Sequence, residues 1–134
     1  MRKHKVFLSY AEADTEFADR LGRALASKGI QVPDQPNPGD DWIEWIRSEL
    51  NASDLVVFIV PLHEGEGRHA LAEIGAARMI NKKILAVLPS QARYANSDVA
   101  RVLSKGQMVN AERITPLQLA DTIIASIPEE LTAA

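Results

Sequence analysis

The chain has 134 residues, 46% of them in the hydrophobic set and 25% charged, with seven Gly and seven Pro, a balance that excludes collagen, coiled coil and wholesale disorder. Fifteen Lys and Arg against eighteen Asp and Glu give a formal charge of -3, and the two signs are interspersed, which argues against nucleic acid or an anionic membrane surface as a partner. Cysteine is absent, so disulfide frameworks, zinc ribbons, iron–sulfur sites and thiol nucleophiles are excluded, and a cytoplasmic location fits. The start, Met1-Arg2-Lys3-His4-Lys5, has the charge of a signal-peptide n-region, but the apolar run behind it stops at Leu8. The longest apolar stretch, Leu55 to Leu62, has eight residues, against about 20 for a transmembrane helix. One domain is expected over residues 1–134, with its core in 4–128 and a tail at 129–134.

Along the chain, short apolar runs alternate with amphipathic stretches, the pattern of a parallel sheet with helices on its faces. Lys5-Val6-Phe7-Leu8 reads as the first strand. Asp14 is placed to cap a helix in which Phe17, Leu21 and Leu25 share one face until Lys28-Gly29 stops it. Ile30-Gln31-Val32 reads as a brief second strand, followed by a loop whose Pro33, Pro36 and Pro38 forbid helix and remove ladder donors. Asp40 or Asp41 then opens a second helix with the stripe Trp42, Ile43, Trp45, Ile46 and Leu50, ending near Asn51. Leu55 to Val60 and Ile84 to Leu88 are apolar on both faces, as central strands are. Between them lie a loop from Pro61 to His69 and a helix from Ala70 to about Asn81, built on Ala72, Ala76, Ala77 and Ile80. An irregular helix over Ser90 to Lys105, a strand at Gln107 to Val109 and a closing helix from Thr115 to Ile127 complete the reading. The expected fold is α/β and flavodoxin-like: a five-stranded parallel sheet in the order 2-1-3-4-5 inside three layers, with helices on both faces.

In that order the chain reverses between strands one and three, and ligands bind at the carboxyl ends of the strands beside such a point. The residues to inspect are Ser9-Tyr10-Ala11 and Pro61 to Glu73. Neither the dinucleotide fingerprint nor the P-loop is present; Gly65-Glu66-Gly67 is only a fragment of such a loop. A phospho-acceptor receiver needs acids after strand one and an Asp ending strand three, where this chain has Ser9-Tyr10 and Pro61. His63, Glu64 and His69 lack metal-ligand spacing, so no metal is expected. Glu73 stands out because helical spacing puts it on the stripe of Ala76, Ala77 and Ile80. One reading is a solvated glutamate favoured by the helix dipole. The other is an anchored carboxylate that grips sugar hydroxyls or stabilises an oxocarbenium-like transition state.

Four segments in register resemble the Toll/interleukin-1 receptor (TIR) domains, particularly the bacterial ones. Val6-Phe7-Leu8-Ser9-Tyr10-Ala11 with Asp14 resembles that family's first motif. Gly29 to Val32 with the loop closing on Pro38-Gly39-Asp40 is similar to its second, the BB loop. Ala52-Ser53-Asp54-Leu55-Val56-Val57 matches the start of its central strand, and Ala72-Glu73-Ile74-Gly75-Ala76-Ala77 the helix bearing its catalytic glutamate. The likeness covers about Lys5 to Leu88. It implies an NAD+ nucleosidase that breaks the nicotinamide N-glycosidic bond, releasing ADP-ribose or a cyclic ADP-ribose signal in antiviral defence, with NAD+ as substrate and no cofactor. Under it, Glu73 is the catalytic carboxylate. Phe7, Ser9, Tyr10 and Ala11 line the nicotinamide and ribose side, Asp34 to Gly39 form the lid, and Arg68 meets a phosphate. His69 stands where the family usually carries an aromatic, commonly Trp, and the BB loop lacks the usual arginine. Self-association through TIR–TIR contacts and a downstream effector or fused domain are implied partners. Two alternatives stay open: a non-catalytic TIR interaction module, and a nucleoside 2-deoxyribosyltransferase-like enzyme, whose nucleophile region Ala72 to Ala77 is also similar to.

Overall fold

The computed structural model describes residues 4–33, 42–61, 75, 80–90 and 108–128. Four parallel strands lie among them in the spatial order of the sequence: β1 (Val6–Ser9), β2 (Leu55–Ile59), β3 (Ile84–Leu88) and β4 (Met108–Asn110). The registers pair Val6 with Leu55, Val56 with Ile84 and Ala86 with Met108. Every residue of β1, β2 and β3 is buried, which is why, apart from Ser9 at the end of β1, these strands are apolar on both faces rather than alternating.

The two faces carry separate cores. On one side Val6, Leu8, Leu55, Val57, Ile59, Leu85 and Val87 meet helices α1 (Thr15–Ser27) and α3 (Pro116–Ala125) through Leu21, Leu25, Leu119 and Ile123. On the other, Phe7, Val56, Phe58, Val60, Ile84, Ala86 and Leu88 pack with Ile46 and Leu50 of α2 (Trp42–Ala52). Trp45 closes that side, its ring centroid 5.8 Å from that of Phe7 at a tilted 51°, a favourable aromatic geometry. The result is the three-layer arrangement expected from the sequence.

The expected second strand is cut down to one parallel bridge between Gln31 and Lys5. Val6 N–H donates to Gln31 O and Gln31 N–H to His4 O, both at 2.9 Å. The bridge places Gln31 on the edge of β1 away from β2, as the order 2-1-3-4-5 requires. Pro33 follows at once and has no N–H to extend the ladder, so a fifth strand is not formed among the described residues.

Helix ends show why the segments stop where they do. Gly29, at φ 85°, closes α1 with Gly29 N–H bonded to Ala26 O and Ile30 N–H to Leu25 O, both at 3.0 Å. Leu25 and Ile30 are also packed in one core, completing a Schellman stop. Asp14 precedes α1 as expected but makes no side-chain capping bond; a 3₁₀ turn over Glu12–Asp14 leads into the helix, with Thr15 Oγ1 donating to Glu12 O at 2.6 Å. At α3, Gln118 N–H donates to Thr115 Oγ1 at 3.1 Å and Thr115 N–H to Gln118 Oε1 at 2.9 Å, a full capping box with Pro116 in the first turn. Ile80, expected on a core stripe, is 42% exposed, in the turn it forms with Asn81. The irregular helix expected over 90–105 falls largely outside the described residues.

Candidate active site

At the carboxyl end of the sheet β1 and β2 finish side by side, with Ser9 paired to Phe58. Just past these ends Ala11, Val60 and Pro61 are buried; Val60 N–H donates to Val87 O at 2.9 Å, and past β4 Ala111 N–H donates to Leu88 O at 2.8 Å. This is the crevice edge that the topology assigns to ligands.

Strand alternation divides the expected β1 residues between two sides. Phe7 and Ser9 fall on the α2 side. Phe7, 1% exposed, is packed under Trp45, and Ser9, a polar residue in a strand of apolar ones, is 0% exposed. Tyr10 is half-buried against the α1 side. It lines a groove of about 480 Å³ whose floor is Leu8, Ala18, Gly22 and Val32, with Asp19 and Arg23 at the rim and Pro33 at one end. A second cavity of about 390 Å³ lies between the first turns of α1 and the start of α3, lined by Asp14, Phe17, Arg20, Ile114, Pro116 and Leu119. Arg20 is paired there with Glu16 at 2.6 Å. Glu73, Asp34, Gly39, Arg68 and His69 lie outside the described residues, as do His63 and Glu64. Gly75, two residues beyond Glu73, is helical and exposed.

The opposite end of the sheet holds a polar lock that sequence reasoning did not find. Asp54, 5% exposed, accepts Lys5 N–H at 3.0 Å and faces His4 Nδ1 at 3.2 Å, while its own N–H donates to Lys5 O at 2.8 Å. Lys5 Nζ pairs with Glu49 of α2 at 2.5 Å, and Ser53 Oγ donates to Glu49 O at 2.6 Å. The Ser53-Asp54 dipeptide therefore joins β1, β2 and α2. Its signal was a pair of small polar residues directly before an apolar strand, where a buried carboxylate needs partners.

A comparison with protein-family models matches the TIR domain over residues 6–122. The chain belongs to the TIR domain family, whose members include NAD+-cleaving enzymes and commonly self-associate. No curated protein matches it significantly. Among the described residues no helix is long and apolar enough to cross a membrane.

Proposed function

We propose that the chain is an NAD+ nucleosidase in which Glu73 is the catalytic carboxylate. The carrying observation is that the family match over residues 6–122 contains a glutamate in the segment Ala72-Glu73-Ile74-Gly75. In doubly wound folds ligands bind at the carboxyl ends of the strands, which here are Ser9 of β1 and Ile59 of β2.

The chemistry asks little of the protein beyond charge and position. Nicotinamide leaves NAD+ as a neutral base, taking the electron pair of the N-glycosidic bond, so no proton has to be supplied to it. Positive charge grows on the ribose C1′ and ring oxygen, and a fixed carboxylate stabilises it. Water adding at C1′ gives ADP-ribose and releases a proton; a nitrogen of the adenine adding there gives a cyclic product. NAD+ is substrate throughout and no resident cofactor enters. The wider reading is a cytoplasmic signal or NAD+-depleting response in antiviral defence, with self-association through TIR–TIR contacts.

Concentrated protein incubated with NAD+, beside Glu73→Gln, tests this by chromatography with mass detection of nicotinamide and ADP-ribose products. Nicotinamide release that disappears in Glu73→Gln, with unchanged circular dichroism, is the expected result, and the product mass separates hydrolase from cyclase. Full activity in the variant removes Glu73 from the mechanism. A second reading, a non-catalytic interaction module, draws support from Leu117, which is 54% exposed on α3. It predicts no turnover by either protein and concentration-dependent assembly in light scattering.

A further inference from the structure

The two helices on one face of the sheet meet unevenly along their length. α1 follows β1 and α3 follows β4, so both start at the carboxyl end of the sheet. Just past the end of α1, Lys28 Nζ pairs with Asp121 of α3 at 2.8 Å. At the two starts, a cavity of about 390 Å³ lies between them instead. Its apolar walls are Phe17 and Leu21 of α1, Ile114 just before α3, and Pro116 and Leu119 of α3. Glu16 and Arg20 of α1 line it as well, and both are exposed.

Leu117 follows Pro116 in the first turn of α3 and is 54% exposed. A single exposed leucine is ordinary on a protein surface. What sets this one apart is its surroundings. One small face holds an apolar projection beside an apolar recess, and an acid beside a base, so it carries both halves of an apolar contact and both halves of an ionic one. That is the requirement of a two-fold contact between identical chains, in which each residue meets on the other copy the residue that meets it in return. We propose that the starts of α1 and α3 form a docking surface for a second copy of this chain, with Leu117 of each copy entering the cavity of the other and Glu16 of each facing Arg20 of the other. This surface rests on the self-association read above and gives it a location. Leu117, set among Phe17, Ile114 and Leu119, supplies the apolar centre of the contact. Glu16 and Arg20 lie at the rim, where charges set orientation more than strength and like charges brought together repel.

Sedimentation equilibrium over a range of chain concentrations, with circular dichroism as the check on folding, compares the unmodified chain with Leu117→Asp, Glu16→Arg, Arg20→Glu and the double variant that carries both charge reversals. Ile80→Asp is the control, because Ile80 is also exposed but precedes β3 and so lies at the amino end of the sheet. The expected result is a dimer whose dissociation constant rises about tenfold or more in Leu117→Asp and about threefold to tenfold in each single charge reversal. In the double variant, whose acid and base have changed places, it returns to within about threefold of the parent, and Ile80→Asp leaves it unchanged. Association that Leu117→Asp leaves intact, or single reversals that the double variant does not rescue, overturns this surface while self-association stands. A chain that sediments as a monomer up to about 1 mM overturns both.

Discussion

Asp54 shows how much one carboxylate organises. It accepts the Lys5 N–H at 3.0 Å and receives His4 on the same oxygen, so its removal leaves a part-buried backbone donor without a partner. Asp54→Ala is expected to lower stability by about 1–3 kcal/mol in urea unfolding, and Asp54→Asn, which keeps an acceptor, by clearly less; equal values for both variants would show that the bond itself contributes nothing. The glycines make an opposed pair. Gly29 has open space where a Cβ would stand but a φ of 85°, so Gly29→Ala is expected to cost about 1–2 kcal/mol through backbone strain alone. Gly75 is exposed, helical and equally unobstructed, so Gly75→Ala is expected to raise stability by about 0.5–1 kcal/mol. Thermal or urea midpoints that move in the same direction for both sink this argument. At this scale the sequence was uneven. Gly29 was legible because a helical stripe ended beside it, whereas Asp54 was matched as part of a motif without its partners, since Lys5 is 49 residues away and nothing local in the chain announces that contact.

Among the described helix starts, that of α3 is more complete than that of α1. Thr115 and Gln118 satisfy each other's backbone N–H groups, and Pro116 sits where a missing donor costs nothing. Thr115→Ala is expected to lower stability by about 0.5–2 kcal/mol, read from the shift of the urea midpoint, and a midpoint within error of the parent would show that Pro116 alone defines the start. The helices and central strands were readable because their apolar spacing is long enough to be unambiguous: Phe17, Leu21 and Leu25 for α1, Ile46 and Leu50 for α2, five successive apolar residues for β2 and β3. The second strand was misjudged in extent because Ile30 to Val32 has the right residues, yet Pro33 ends its ladder after a single bridge. Asp14 was placed correctly at the start of α1 but without its expected capping bond, because a preceding 3₁₀ turn already supplies bonds of its own.

For the molecule as a whole, the sheet is the only layer that both cores share. Trp45 of α2 packs against Phe7 in one core, so its fluorescence reports that side, while circular dichroism also follows α1 and α3. Leu25→Ala, buried on the far side, is expected to lose about 2–5 kcal/mol and to move the fluorescence and circular dichroism midpoints together. A fluorescence midpoint that stays in place would mean that the layers melt separately. The sheet beneath the candidate site was legible from the apolar runs, and the carboxyl ends of β1 and β2 lie side by side through Ser9 and Phe58, whereas Glu73, Asp34, Gly39, Arg68 and His69 lie outside the described residues. What the residue string did not reveal is that alternation sends Phe7 and Ser9 to one face and Tyr10 toward the other, because a short strand with a polar end shows no clear period. The strand order has a consequence of another kind. Among the described residues β1, β2, β3 and β4 neighbour one another in the order in which a ribosome makes them, so during synthesis each of these strands finds its docking edge already laid down and covers it in turn, while the far edge of β1 keeps the Gln31 bridge.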